Sequence, residues 1–416
     1  MPTSARPGPA RLTCLSLREM LEIEARRLGF AEIGVTDLAP FEEAAARAER
    51  AIAEGRMKGM PWYTPERVKQ AAELGPRFPW GRSLVALSYP YPPAAAPLQP
   101  VPEPAEQRGR PRGRIASYAL GEDYHRRLDE ALRSLVEQLG RRSPGLRSHR
   151  FVDHGRAFDR AIAERAGLGF SGKNTQLISA ATGSYVLLAS IVLSLELKPD
   201  RPSSRSCGHC RACLPSCPTG ALVAPGVIDA TRCISYLTIE HSGPIPVPLR
   251  PLMGSWVFGC DLCQEACPIN ARLSPAPVPV GPASVAWGAV PFPDLVGLLE
   301  LTEPAFHSQF ASTALERSGR ERLARNAAIA LGNRRSRQAV PSLAGSLKGD
   351  PSAVVRGASA WALGRIGGGK ALAALTAAPA CEVDPGVLGE IESALAGDPP
   401  SAPGVNSGVQ IGPHSA

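Results

Sequence analysis

Two features of secreted and membrane proteins are missing from this chain. No apolar stretch is long enough to cross a bilayer: the longest, Tyr185 to Leu197, is broken by Ser190, Ser194 and Glu196 and reads as a buried strand. The first thirty residues also lack the charged-then-apolar pattern with a small-residue cleavage site that marks export. These absences predict a chain without membrane association that stays in the cytoplasm. Charge of either sign is in modest excess at most, with 46 Lys and Arg against 38 Asp and Glu and a pI near 9.1. Its distribution says more than its sum. Arginines gather at Arg108, Arg110, Arg112 and Arg114, at Arg141, Arg142, Arg147 and Arg150, and from Arg317 to Arg337. Solvated loops and helix faces would explain these clusters, and so would a polyanion such as RNA. The sequence leaves both readings open.

At 416 residues the chain exceeds one ordinary core, so two or three domains are expected. Up to about residue 200, helical and strand patterns alternate. Ser16 and Glu19 form a capping box ahead of an amphipathic helix through Leu17, Leu21 and Leu28 that ends near Gly29. Ala31 to Thr36 and Ser83 to Tyr89 read as short buried strands. The stretch from Pro90 to Pro104 is proline-rich and is expected to be a mobile insert. Asp123 to Leu139 reads as helix, Arg150 to Asp153 as extended chain, and Ala157 to Ala166 as a helix stopped by Gly167 and Gly169. Near the C-terminus, Arg325 through Ala330-Leu331-Gly332 recurs, with one residue added, as Arg356 through Ala362-Leu363-Gly364. Each copy precedes a second short helix, Ala339 to Leu347 and Lys370 to Thr376. Paired helices at a period near thirty predict a HEAT-type α-solenoid. The proline, serine and glycine after Gly397 predict a disordered tail.

Eight of the ten cysteines lie between Cys207 and Cys267. Cys207-x2-Cys210-x2-Cys213-x3-Cys217-Pro218 is the bacterial ferredoxin run, whose last cysteine ligates the other cluster. A second run, Cys260-x2-Cys263-x3-Cys267-Pro268, has Cys233 standing alone upstream. The ligand count closes if the last cysteine of each run crosses over. One 4Fe–4S cluster then takes Cys207, Cys210, Cys213 and Cys267, and the other takes Cys217, Cys233, Cys260 and Cys263. Soft iron in a cubane needs four thiolates, and the short spacings let three sulfurs reach one cube from a single loop. A disulfide framework would need an oxidising compartment. Zinc sites use well-separated pairs of ligands, which these runs do not provide. Cys14 and Cys381, in apolar surroundings, are expected to be inert buried thiols.

A ferredoxin alone needs only some such segment, yet about two hundred residues precede it, so the electrons are expected to feed a chemical step there. Phe151-Val152-Asp153-His154-Gly155, the segment Arg160 to Phe170, Gly172-Lys173-Asn174, Glu122-Asp123-Tyr124-His125, Arg232-Cys233-Ile234-Ser235-Tyr236-Leu237-Thr238 and both cysteine runs together resemble the epoxyqueuosine reductase family. The resemblance runs from about residue 14 to 380, and in combination its motifs are specific.

The resemblance implies an α+β multidomain chain. Residues 1–200 would form a mixed α/β cobalamin-binding catalytic domain and 201–272 a ferredoxin-like double 4Fe–4S domain. A connecting segment, 273–320, would lead to C-terminal HEAT-like α-helical repeats at 321–397 and a disordered tail at 398–416. It also implies cobalamin, two clusters, a tRNA carrying epoxyqueuosine, a reduced donor such as a flavodoxin or ferredoxin, and a monomer. Asp153 matches the family's proton donor. A carboxyl with an ordinary pKa of about 3.9 is ionised at neutral pH, so Asp153 is expected to need burial against the corrin to raise it. Arg67, Asp153, Lys173, Asn174, Ser235 and Asp261 would contact the corrin or its tail. Asp123 to Leu128 departs from the D-x-H-x-x-G cobalamin motif because Leu128 replaces the glycine. His125 is therefore read as a satisfied histidine beside an Asp123 helix cap, with Asp123 or Tyr124 lining the substrate pocket as the alternative. Two rival functions share features with this reading: a cobalamin-dependent reductive dehalogenase, and a non-enzymatic iron–sulfur electron-transfer protein.

Overall fold

The computed structural model describes residues 16–91, 109–153, 155–273 and 292–397. Cys14, His154, most of the proline-rich stretch and the tail after Gly397 lie outside the described residues, and so do the expectations attached to them. The first helix, α1 (Leu17–Arg27), has its capping box: the Ser16 hydroxyl accepts from Glu19 N, and the Glu19 carboxylate accepts from Ser16 N at 2.8 Å. Where the sequence reading names no element between Thr36 and Ser83, the structure has a single helical turn at Leu74–Arg77 and two longer helices, α2 (Glu42–Ala53) and α3 (Pro65–Ala72). They bury mainly alanine, so they carry no strong apolar stripe.

Four strands, β1 (Glu32–Thr36), β2 (Ser83–Pro90), β3 (Ser148–Val152) and β4 (Val186–Leu193), form one sheet of order β1-β2-β4-β3, antiparallel throughout. Val35 faces Val85, Val85 faces Ile191, and Phe151 on the edge faces Ser190. Strands β2 and β4 are nearly unbroken apolar runs because helices cover both faces of the sheet. On one face, Leu21 and Ala25 of α1 and Leu128, Leu132, Leu135 and Leu139 of the long helix α4 (Tyr124–Arg142) pack on Val35, Val85 and Ile191. The other face carries Leu84, Ala86 and Val192, covered by Phe41, Leu74 and the short helix α5 (Asp159–Arg165) through Ile162 and Ala163. The turn after α5 crosses β1 so closely that a Cβ on Gly34 would stand 2.0 Å from the Ala166 carbonyl oxygen, which only glycine avoids.

Little of 201–273 is regular. It contains a short hairpin, Leu222–Ala224 with Val227–Ile228, and the helix α6 (Ile234–Ile239) directly after Cys233. Its strand Trp256–Phe258 runs parallel to Arg114–Ile115 of the preceding region. The C-terminal part is a stack of helices: α7 (Gly319–Asn333), α8 (Val340–Gly349), α9 (Ala353–Ile366), α10 (Gly369–Ala377) and α11 (Pro385–Leu395). The two recurring Ala-Leu-Gly segments lie in α7 and α9. Their glycines mark close crossings, since a Cβ on Gly332 would lie 2.9 Å from the Ala362 Cα and one on Gly364 3.0 Å from the Ala394 Cα.

The arginine run starting at Arg317 proves to be largely structural. Arg320 pairs with Asp350 (2.8 Å), Arg317 with Glu240 (2.8 Å), and Arg322 donates to Ser242 Oγ (2.8 Å). Arg325, 1% exposed, donates to the carbonyls of Leu237 (2.7 Å), His241 (2.8 Å) and Gly243 (2.7 Å). Beside it, Asn326 Nδ2 donates to the Thr238 and Val257 carbonyls, both at 2.9 Å. The first repeat helix therefore shares one apolar core with the cysteine-rich segment. Of the run, Arg317, Arg334, Arg335 and Arg337 are exposed, the last three without a salt bridge among the described residues. Cys381 is exposed as well, contrary to the expectation of a buried thiol. It follows the turn Ala378–Ala380 in the outermost hairpin, whose apolar side faces inward through Ala371, Leu375, Val387 and Ile391. Among the described residues no helix is long and apolar enough to cross a membrane.

Candidate active site and cysteine-rich domain

Strand β3 ends at Val152, and Asp153 follows with φ at 54°, the left-handed region that a non-glycine residue enters at a cost. That turn brings its carboxylate to the start of α4. Tyr124 Oη donates to Asp153 Oδ2, and His125 Nε2 stands 3.7 Å from the same oxygen. Asp123 caps α4, accepting from His125 N at 3.0 Å and contacting His125 Nδ1 at 2.8 Å. The imidazole thus lies between two carboxylates, stacked on the Tyr124 ring at 4.0 Å. The expected cap is present, and the histidine is more than satisfied.

Electrostatics follow from this geometry. The His125 contact, aided by Tyr124, holds the Asp153 carboxyl down at about 2 against an opposing burial effect. In the protein alone the carboxyl is not raised, because the side chain is 62% exposed and faces the Tyr124 hydroxyl and the His125 imidazole. Burial acts to lower the His125 pKa, but Asp123 and Asp153 outweigh it and raise the value to about 9. The dissociable proton at neutral pH therefore sits on His125. Asp159, at the start of α5, is the opposite case: burial, then the negative charge of Asp153, pushes it up to about 7. Its Oδ1 is buried without a hydrogen-bond partner. The sequence reading missed Asp159. The available signal was a second acid in the first turn of the helix that follows Asp153.

The remaining expected contacts divide into two groups. Arg67, in α3, donates to the Gly155 carbonyl (3.5 Å) and so borders the Asp153 turn. Nearby, burial raises the Tyr63 pKa against the charges of Arg160 and Arg67. Lys173, Asn174, Ser235 and Asp261 lie instead among the cysteines. Lys173 Nζ donates to the carbonyls of Gly208 (2.6 Å) and Cys210 (2.9 Å), and its backbone N–H points to Cys207 Sγ at 3.4 Å. Asn174, 2% exposed, donates to the Cys263 carbonyl at 3.5 Å. Ser235 is half-buried in α6, two residues after Cys233. Asp261 is buried between Cys260 and Cys263, and accepts from Ser117 N (2.7 Å), Ser117 Oγ (2.6 Å) and Gln264 Nε2 (3.1 Å). Ser117 begins the turn holding Tyr118, whose ring meets Tyr124 edge-on at 5.9 Å. A short path, Asp261–Ser117–Tyr118–Tyr124–Asp153, joins the cysteine loops to the Asp153 turn.

The fold gathers the seven cysteines of the two runs and Cys233. Cys213 is influenced by Cys207, Cys210 and Cys267. Cys263 is influenced by Cys233 and Cys217, and more weakly by Cys213, while Cys260 is influenced by Cys233 and Cys263. Burial lifts the Cys213, Cys233, Cys260 and Cys263 thiols, Cys263 to about 12, so a bound metal would be what stabilises their thiolates. Among the described residues no group of three or more His, Cys, Asp or Glu is spaced to hold a single metal ion.

An antiparallel α+β domain, a two-run cysteine domain and helical repeats sharing its core define an iron–sulfur oxidoreductase. A 4Fe–4S double-cluster binding domain matches residues 206–270, HEAT repeats match 309–396, and the epoxyqueuosine reductase QueG family matches 73–154. An epoxyqueuosine reductase of Bacillus cereus is 32% identical over 379 residues, covering 89% of this chain and 94% of that one. That of Pseudomonas aeruginosa is 35% identical, covering 87% and 96%. A crystal structure of an epoxyqueuosine reductase with an epoxyqueuosine-modified tRNA stem loop superposes with a TM-score of 0.82 at 32% identity, covering 92% of this chain and 98% of that one. The Bacillus subtilis enzyme, with its catalytic loop swung out of the active site, gives a TM-score of 0.83 over the same shares. The chain belongs to the epoxyqueuosine reductase family.

Proposed function

We propose that this protein reduces epoxyqueuosine to queuosine at the wobble position of tRNA. In that reaction both C–O bonds of the epoxide break, a C=C bond forms, and the oxygen leaves as water, consuming two electrons and two protons. The observation that carries the reading is the Asp153–Tyr124–His125 group, a proton store linked through Tyr118 and Ser117 to the cysteine loops. His125 holds a proton at neutral pH, and Asp153 orients it and can pass it on to the departing oxygen. Tyr124 fixes the Asp153 rotamer. The same arrangement favours this reading over a protein that only carries electrons, which needs no proton donor.

The two cluster sets are Cys207, Cys210, Cys213 and Cys267, and Cys217, Cys233, Cys260 and Cys263, in agreement with the neighbours each thiol has. Cobalamin fits the region beside Asp153: the buried Asp159 Oδ1 lacks a donor, and the amide side chains of a corrin would supply one. Arg67 and Asp153 would border it, while Lys173, Asn174, Ser235 and Asp261 would act from the cysteine loops beside them. When bound, cobalamin would supply a low-potential metal centre for the strained ring and the clusters its one-electron supply. The working division is a catalytic domain at 1–200, a cluster domain at 201–272, a connection at 273–320 and repeats at 321–397. The test is anaerobic incubation of the reduced, cobalamin-loaded protein with an epoxyqueuosine stem loop, followed by nucleoside mass spectrometry. Queuosine should accumulate. None forming with clusters and cobalamin in place would refute the reading.

A further inference from the structure

The two cysteine sets differ in access. Cys233, Cys260 and Cys263 are shielded, and their side of the domain faces Asp261 and the tyrosine path. The loop of the first run lies on the surface, with Gly208, His209, Cys210, Arg211 and Ala212 all exposed. Its electrostatic character is one-sided. From residue 201 to 228 there are three arginines, Arg201, Arg205 and Arg211, and no aspartate or glutamate. All three arginines are exposed. No salt bridge within 4.0 Å is formed by Arg205 or Arg211 among the described residues, unlike the paired arginines of the repeats. Beside the loop runs an open groove of about 410 Å³ with Phe170, Ile269 and Leu273 in its lining and Arg205 and Arg272 among its polar residues. Phe170 and Ile269 also pack against Cys207 and Cys267, so the groove adjoins the first cysteine set.

We infer that this face, Arg205, Arg211 and Arg272 around the exposed Cys210 loop, is the docking surface for an acidic one-electron carrier protein of the flavodoxin or ferredoxin type. The inference rests on the iron–sulfur reading of the cysteine sets. Charge complementarity selects the partner. Arginines without a salt bridge, on a segment free of acids from 201 to 228, steer an acidic protein into a transient encounter, and the small apolar patch allows close approach without a long-lived complex. A weak, small interface is typical of electron-transfer encounters. Each encounter moves one electron: the carrier is oxidised by one, and the oxidised iron–sulfur centre is reduced by one. Two encounters supply the two electrons that epoxide reduction consumes. RNA is the less favoured occupant, because the arginines surround an exposed cysteine loop, which electron entry requires and RNA binding does not.

The experiment measures affinity of the anaerobic holoprotein for an oxidised acidic flavodoxin by calorimetry at two salt concentrations, with binding of an unmodified tRNA anticodon stem loop in parallel. For Arg205→Glu with Arg211→Glu, flavodoxin affinity should fall at least ten-fold and lose most of its salt dependence. Arg205→Lys with Arg211→Lys should stay within about two-fold of the parent, and the visible absorption of the clusters should persist in both. Reduction by dithionite should proceed at the parent rate, since a small reductant needs no docking. If the double reversal binds flavodoxin as tightly as the parent, the inference is wrong. It is equally wrong if stem-loop affinity falls instead, which would make this an RNA face. Absence of cluster absorption from the parent protein itself would refute the underlying iron–sulfur reading rather than the surface.

Discussion

At the residue scale, Asp153 and His125 are one titrating unit, and their roles separate by experiment. Asp153→Asn keeps the shape and removes the charge that holds the His125 proton. Turnover should fall by about 10²–10⁴-fold, with cobalamin absorption and stem-loop affinity little changed. Near-parent turnover under saturating reductant would move the proton source elsewhere, with Asp159 next in line because burial and Asp153 raise it to about 7. The pH profile carries a second prediction. Asp153 is ionised above about 2 and His125 is protonated below about 9, so the charged pair spans the neutral range. Activity should decline as pH rises through about 9, and His125→Gln should abolish that limb. Asp123, Tyr124, Tyr118 and Arg317 also face the pair, and of these Asp123 and the stacked Tyr124 ring touch His125. An alkaline limb unchanged in His125→Gln would exclude the histidine as its origin.

At the scale of elements, α7 and the cysteine domain depend on each other. Asn326→Leu would strand the buried carbonyls of Thr238 and Val257, next to the Cys233 helix and the Cys260 loop. Each unsatisfied group costs about 1–3 kcal/mol, so the melting temperature should drop by several degrees and iron content should fall with it. Iron retained at the parent level through a clear loss of stability would show that the cysteine loops stand without α7. Cys233→Ala tests the ligand sets directly. Iron should fall from about eight to about four per chain, since each cubane has four irons. Full iron in that variant would overturn the assignment. Breaking Arg320–Asp350 with Asp350→Asn should cost about 3 kcal/mol, because it leaves an uncompensated guanidinium in the first turn of α7. A denaturant titration checks it.

For the whole molecule, the repeats are a buttress as well as a candidate RNA contact. A chain truncated before α7 should lose clusters, whereas a purely accessory module would leave them intact. Surface changes are the cleaner probe of RNA. Affinity for the stem loop should fall linearly with salt on a log–log scale as arginines displace counterions. If Arg334, Arg335 and Arg337 each meet a phosphate, replacing each by alanine should lower that slope by about one. An unchanged slope would place the RNA away from the repeats.

The sequence by itself determined what is local or covalent. The capping box needs only Ser16 and Glu19, the cysteine runs fix which thiols can share a loop, and the Ala-Leu-Gly recurrence encodes helix crossings one repeat apart. Strands β2 and β4 were legible as buried runs because both faces of the sheet are covered, but nothing in a run of Val, Leu and Ile names its neighbour, so the order β1-β2-β4-β3 was not. Tertiary structure alone decided the rest. It set His125 between Asp123 and Asp153, residues far apart along the chain in the second case, and so drove one carboxyl down where burial alone would raise it. It also turned Arg325 from a possible RNA contact into a buried anchor by supplying three carbonyl acceptors from another segment. A side chain's charge is written in the sequence, but the partners that fix its pKa and its role are brought to it only by the fold.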